Sequence, residues 1–473
     1  VPTDPARILP PAEGLSLSLC MIVKNEAALL GRCLQSVKEV ADEIIVVDTG
    51  SVDETILVAR NHGATVVRSE WRDDFSQARN VSLRGATGRW ILWLDADDVV
   101  PSQSITLIND LKKEKPDKVF GFVVRNEKPG NTGTEFIQAR MFPNLPDIYF
   151  ERKIHEQMMF SALRRGLRLV ETGVVIEHHG YADPAGMLAK ARRNIDLLLK
   201  EYASIGPDAV MAVELADSYA IAGDMVQAKR WYETALAVPG CQTALPHIAG
   251  QSHLGLGNAL NKENSFDHAI EHLEKALRLS PQRVDVLYSL AVAYDMHGRK
   301  NEAIDRLNAV IRGASAPCMV GIDFREARIK SFLRLERLLM ECHRNEDALM
   351  LARQAQEEMP HRPEIQNMAG RVYFRCNKFM DALHAFEKSL QIDIPNNIDA
   401  QVGLCMIYSR ADKKETTVQT VNAILPIYKN TPRYWALHRR LMGNTPEPEI
   451  PAEVDRAEID KEENALRMMY GNA

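Results

Sequence analysis
No stretch of the sequence reaches the roughly 18 to 20 uninterrupted apolar residues that a bilayer-spanning helix requires, because charge cuts every hydrophobic run within about ten positions. A transmembrane protein is therefore not expected. An excess of either charge is also missing: 58 Lys plus Arg face 64 Asp plus Glu, a net charge of −6. No global field is available to hold nucleic acid. The seven cysteines, at 20, 33, 241, 318, 342, 376 and 405, never fall at C-x-x-C spacing, so neither a disulfide frame nor a zinc cluster is suggested. A reducing, cytoplasmic setting fits this usage. Val1 to Gly14 carries four prolines and no basic patch followed by an apolar run, so it reads as a tail rather than a signal peptide.

What is present changes character midway. With 473 residues, two or three compact units are expected. From Leu15 to about Tyr181, short apolar runs at Leu15 to Val23, Glu43 to Val47, Thr65 to Val67, Trp90 to Leu94 and Phe120 to Val124 alternate with helical patterns at 26–40, 53–62 and 75–86. This rhythm predicts an α/β, Rossmann-like domain, with ligands gathered at the carboxyl ends of its strands.

After about Pro207 a period of 34 residues takes over. A frame starting at Ala209 places Ala228, Tyr232 and Ala235 at positions 20, 24 and 27. The frame at Gly250 places Gly257, Ala269, Leu273, Ala276 and Pro281 at positions 8, 20, 24, 27 and 32. Frames at Val284, Ile329 and Pro363 repeat the pattern, with a slip near Pro317, and a sixth from Asn397 is degenerate. Small residues let paired helices approach closely, the bulky residue fills the gap to the next pair, and proline stops the second helix. The pattern resembles the tetratricopeptide repeat family, an all-α solenoid whose concave groove commonly takes peptides or proteins. The expected domains are a tail (1–14), a catalytic domain with a connecting helix (15–207), the array (208–430), and a helical segment and tail (431–473).

Asp95-Ala-Asp97-Asp98 follows the apolar run Trp90 to Leu94, which sets these acids at the mouth of a buried strand. A bare D-x-D arises by chance about once in a chain this long, so placement is the informative part. Two carboxylates so placed repel unless a cation lies between them, and hard oxygen ligands suit Mg²⁺ or Mn²⁺ bridging a diphosphate. The alternative is helix capping by Asp97 or Asp98 ahead of Pro101.

Lys24-Asn25-Glu26 at the end of the first run, Ile44 to Thr55 containing Asp48-Thr-Gly-Ser51, Ala78-Arg79-Asn80 and Leu94 to Asp98 together resemble the family 2 glycosyltransferases of the A-type fold. The resemblance covers about 15 to 200 and implies a metal-dependent transferase drawing on a nucleotide-sugar, with UDP the family's commonest nucleotide. It assigns the base to Asp48 and Arg79, the ribose side to Glu26, the ribose or phosphate side to Asp95, and the metal to Asp97. Read without the family, Asp48 is a turn acid and Arg79 a solvated helix charge.

Ile154-His155-Glu156 and Val174 to Tyr181 set polar groups beside apolar runs. An inverting transfer needs a base for the acceptor, and Glu156 is the candidate. His178 is the candidate third metal ligand, with His179 its rival. Lys190-Ala-Arg-Arg193 could neutralise phosphates, although a solvated helix face explains it as well. The fusion is similar to bacterial protein and peptide glycosyltransferases, including flagellin-modifying enzymes and bacteriocin S-glycosyltransferases. That similarity implies hexosyl or N-acetylhexosaminyl transfer to a protein or peptide acceptor held by the array. A homodimer through the repeats, aided by Tyr434 to Leu441, is a further expectation. The competing readings are a polysaccharide or lipid-linked acceptor, and a repeat scaffold with a degenerate transferase domain.

Overall fold
The computed structural model describes residues 17–126, 134–180, 184–313, 323–393, 397–442, 450–451 and 453–471. The expected tail, 1–14, and the slip near Pro317 lie outside them. The chain divides into two compact units, Val1–Ala293 with Gly313–Glu326 and Tyr294–Arg312 with Ala327–Ala473.

The first unit opens with eight strands, β1 (Leu17–Val23), β2 (Glu43–Asp48), β3 (Thr65–Arg68), β4 (Trp90–Trp93), β5 (Asp98–Val99), β6 (Lys118–Asn126), β7 (Glu135–Pro143) and β8 (Arg168–His178). They form one sheet in the order β3-β2-β1-β4-β7-β6-β8-β5. The first four are mutually parallel, and β7 joins β4 antiparallel. Helices α1 (Ala27–Ser36), α2 (Thr55–Asn61), α3 (Phe75–Gly85), α4 (Ser102–Leu111), α5 (Met159–Arg164) and α6 (Pro184–Ile205) complete the α/β part.

The central strands are apolar on both faces because both are covered. Leu17, Leu19, Met21, Trp90 and Leu92 alternate onto one face, against Leu30 and Leu34 of α1 and Ile108 of α4. Cys20, Ile91 and Trp93 take the other, against Leu83 of α3, Phe142 and Phe150. Each such large side chain contributes roughly 1.5–3 kcal/mol by leaving water. The register pairs Val23 with Asp48 and Cys20 with Trp93, so the loops after β1, β2 and β4 leave from one edge. Two strands had no counterpart in the expected set: β5, only two residues long, and β7, where Gln138 and Arg140 interrupt the apolar pattern.

Among the described residues, helices alone follow. In chain order they are α7 (Ala209–Ala222), α8 (Met225–Ala237), α9 (Cys241–Ala244), α10 (Pro246–Lys262), α11 (Phe266–Leu279), α12 (Val284–Met296), α13 (Lys300–Arg312), α14 (Phe324–Glu341), α15 (Asn345–Glu358), α16 (Pro363–Arg375), α17 (Phe379–Ile392), α18 (Ile398–Arg410), α19 (Lys414–Tyr428), α20 (Pro432–Met442) and α21 (Arg456–Tyr470). The small residues of the repeat do what their size allows. Ala228, Ala269, Ala276, Ala303, Ala348, Ala355 and Ala382 have no exposed surface. A Cβ on Gly370 or Gly403 would lie within 2.6 Å of the Phe386 ring, so one bulky residue fills the space both glycines leave.

Among the described residues no helix is long and apolar enough to cross a membrane. The segment expected to aid dimerisation is taken up by its own unit. Tyr434, Trp435 and Leu437 of α20 are buried, and α20 packs against α21.

Candidate active site
The loops after β1 and β2 are laced together. Asn25, at φ 58°, donates its N–H to Ser51 Oγ (2.9 Å), and its Oδ1 accepts from Val52 N–H at 2.9 Å. Glu26 N–H reaches Thr55 Oγ1 at 2.7 Å. Asp48 is buried, and its carboxylate accepts the N–H groups of Gly50 and Ser51 at 3.2 to 3.3 Å. Asp48 does not line the adjoining cavity, whereas its neighbour Thr49 does. That cavity, about 930 Å³, also takes in Glu26, Arg79, Asp95, Asp97, Gln138, Glu156 and His178. Six of the seven expected site residues therefore share one space.

A chain of alternating charge runs across its floor. Glu156 Oε1 meets Arg79 Nε at 2.5 Å, and Arg79 Nη2 meets Asp95 Oδ1 at 2.9 Å. Asp95 Oδ2 faces Arg140 Nη2 at 3.7 Å, and Arg140 Nη1 holds Asp98 Oδ2 at 2.9 Å. Asp98 Oδ1 then takes His178 Nδ1 at 2.9 Å, with Asp97 Oδ1 at 3.4 Å from the same nitrogen. Both guanidinium groups lie over the Trp93 ring, 4.2 and 3.9 Å from its centroid, which replaces lost hydration with the ring's quadrupole. Arg79 is thus no solvated helix charge.

Burial opposes ionisation of Asp95, but Arg79 and Arg140 outweigh it and hold that carboxyl well below the usual range. Burial likewise works against the charge on Arg79, yet Glu156 and Asp95 hold its pKa above the ordinary value. Asp97 moves the other way: burial raises it, His178 opposes, and Asp95 and Asp98 add to the rise. Glu26 is raised by burial and then by Asp97, Asp53 and Asp95. For His178, burial lowers the pKa, while the bond to Asp98 and the charge of Asp97 reverse the direction. The excess of acid is therefore uncompensated on the side of Glu26 and Asp97.

Among the described residues, Asp97, Asp98 and His178 bring ligand-type atoms within 4.8 Å of one another. Their environments differ. Asp98 has no exposed surface, stands opposite His178 in the β5–β8 register and accepts Asp95 N–H at 2.8 Å besides its bond to Arg140. It orients the imidazole. With Nδ1 bonded to Asp98, Nε2 is the nitrogen left to face a ligand. A Cβ built on Gly180 would stand 2.8 Å from His178 Nε2 and 2.9 Å from Asp97 Oδ2, so glycine lets the backbone pass close beside both donors. A carboxylate and an imidazole nitrogen that converge in this way fit a divalent cation of the Mn²⁺ or Mg²⁺ type. The capping alternative does not occur: α4 begins after Pro101 with no side-chain cap. His179 directs Nε2 at Glu177, 3.7 Å away, so of the two rivals it is His178 that lines the cavity.

Arg140 and Gln138 escaped the sequence reading. They stand two apart in β7, the spacing of one strand face, and two polar residues on one face of an otherwise apolar strand were the available signal. Arg79 Nη1 and Gln138 Oε1 are buried without a hydrogen-bond partner among the described residues, and both belong to the cavity lining. Buried polar atoms of this kind call for a ligand's groups.

Residues 18–170 match the sequence profile described as Glycosyl transferase family 2, and residues 257–298 match that of the TPR repeat. A TPR repeat-containing protein of Synechococcus elongatus is 33% identical over 286 residues, 58% of this chain and 68% of that protein. The SPbeta prophage-derived glycosyltransferase SunS of Bacillus subtilis is 31% identical over 186 residues, 37% of this chain and 43% of SunS; the chain thus spans less than half of that relative. A solved tetratricopeptide repeat protein from Parabacteroides merdae covers 50% of this chain and 86% of its own at a TM-score of 0.40 and 12% identity. The two profiles in succession, the sheet that carries this cavity and the Synechococcus relative assign the chain to the family 2 glycosyl transferases that carry tetratricopeptide repeats, and it belongs there as a glycosyltransferase.

Proposed function
We propose that the chain moves a sugar from a nucleotide-sugar, of the UDP type, to a protein or peptide acceptor with inversion at the anomeric carbon. The single observation that supports this most is the convergence of Asp97 and His178, backed by buried Asp98, with ligand-type atoms of all three within 4.8 Å of one another. Asp97 and His178 would hold Mn²⁺ or Mg²⁺, which when bound neutralises a departing diphosphate. Glu26 and Asp95 face the ribose and phosphate side. Arg79 offers its unpartnered Nη1, and Gln138 its Oε1, to the donor. Asp48 serves by holding the turn that presents Thr49. Glu156 takes the acceptor's proton on Oε2 while Arg79 holds Oε1. The acceptor oxygen or sulfur bonds to the anomeric carbon as the carbon–oxygen bond to the diphosphate breaks, its electron pair leaving with the diphosphate.

The test is a screen of nucleotide-sugars for hydrolysis with Mn²⁺, repeated in Asp97→Ala and His178→Ala. Loss of about a hundredfold or more in both variants, and on chelation, is the expected result. Hydrolysis that ignores the changes removes the metal role. Labelled sugar supplied with a cell extract should enter polypeptide bands; label recovered only in lipid or polysaccharide fractions overturns the acceptor class.

A further inference from the structure
The segment between Phe150 and Met158 brings His155 and Glu156 to the cavity, and its backbone takes positive φ at two non-glycine residues, Arg152 (76°) and His155 (52°). Each such conformation is strained for a residue with a side chain and persists where neighbours over-determine it. Those neighbours come from α6 and α7. Glu201 of α6, 3% exposed, accepts Lys153 N–H with both carboxylate oxygens at 3.1 and 3.2 Å. Arg152 donates to the two oxygens of Asp208 at 3.3 and 3.1 Å, and Asp208 is itself the cap of α7 through Met211 N–H at 2.9 Å. Ile154 is buried in a cluster with Ile195, Leu198, Met211 and Leu215. From the other side, Phe75 N–H binds Lys153 carbonyl oxygen at 2.8 Å.

We propose that Glu201 is a positioning residue: α6 sets the loop that aims Glu156, so a helix beyond the span matched to the transferase family completes the catalytic geometry. This rests on the reading of Glu156 as the group that takes the acceptor's proton. A carboxylate is suited to the task because it accepts a main-chain N–H in a buried place where water cannot substitute. Lys153 is three residues from Glu156, and displacement of a reacting group by about 1 Å costs on the order of a hundredfold in rate.

The experiment measures nucleotide-sugar hydrolysis by the full chain in Glu201→Ala and Glu201→Gln, with amide exchange over residues 151–157. Glu201→Ala is expected to lower kcat about tenfold or more, leave KM for the donor within about twofold, and speed exchange at Lys153. Glu201→Gln keeps an acceptor oxygen and should regain most of the rate. A kcat within twofold in Glu201→Ala, unchanged exchange at Lys153, or Glu201→Gln as slow as Glu201→Ala at equal melting temperature each overturns the proposal. Glu156→Ala, run alongside, separates the two levels. Full activity there removes Glu156 from the chemistry and the positioning role with it. An inactive Glu156→Ala beside a fully active Glu201→Ala overturns the positioning role alone.

Discussion

Asp98 has no surface in contact with water, yet by holding His178 Nδ1 it leaves Nε2 as the nitrogen offered to a ligand. Its own charge is met by Arg140, so the pair His178–Asp98 behaves as one oriented donor. Gly180 matters through the side chain it lacks. An alanine there puts a methyl carbon under 3 Å from both His178 Nε2 and Asp97 Oδ2. Those atoms end flexible side chains and can swing aside, so Gly180→Ala should fold with a melting temperature within a few degrees of the parent and lose Mn²⁺ affinity by roughly tenfold or more, read by metal titration. Parent-like affinity would place the cation away from Asp97 and His178. At this scale the sequence was partly legible. Asp95, Asp97, Glu26 and His178 stood in motifs at strand ends. Arg140 and Gln138 did not, because β7 reaches the centre of the sheet antiparallel and its two polar residues carried no motif. Asp48 also stands in a motif at a strand end, and its carboxylate is engaged by the turn that follows it.

Among the elements, α10 and α11 meet through a pair of histidines, His253 Nδ1 to His272 Nδ1 at 3.0 Å. Two imidazole nitrogens at this separation share one proton, which demands that at least one ring be neutral. Burial lowers the pKa of His253 to about 4, with His272, Lys275 and Arg278 adding to the fall and Glu271 opposing it. His272 is lowered by burial and Lys275, again against Glu271. The folded value lies below the unfolded one, so this contribution to stability is complete above about pH 6.5 and is lost as pH falls toward 4. His253→Gln should therefore flatten the pH dependence of the first unit's melting between those limits, by roughly 1–3 kcal/mol at the acid end. A parent-like slope would assign the acid sensitivity to other groups. The elements themselves were largely foreseeable, since helices at 27–36, 55–61 and 75–85 sit inside the segments read at helical spacing. The bond between these histidines was not. Their spacing of 19 residues belongs to no single periodicity and becomes adjacency only when two helices pack.

At the scale of the molecule, the change of period near 207 and the edge of the first compact unit do not coincide, since that unit runs to Ala293. Pattern follows the hydrophobic spacing of each stretch, whereas compactness follows what those stretches bury together. Met211 and Leu215 lie beyond the change of period and still cover Ile154, while Tyr202 stacks edge to face on Trp231 of α8 with centroids 5.0 Å apart. A fragment ending at 207 leaves Ile154 and Tyr202 without that cover and Arg152 without Asp208. It should melt well below a fragment ending at Ala293, or aggregate, as read by calorimetry and gel filtration. Equal melting temperatures would show that the helices after 207 lend the sheet nothing. The same arrangement fixes where modules of this kind can be exchanged. A chimera that gives the transferase a foreign set of repeats must keep α7 and α8 with the enzyme, because the workable seam lies downstream of them, inside the array, rather than at the border where strands give way to helices.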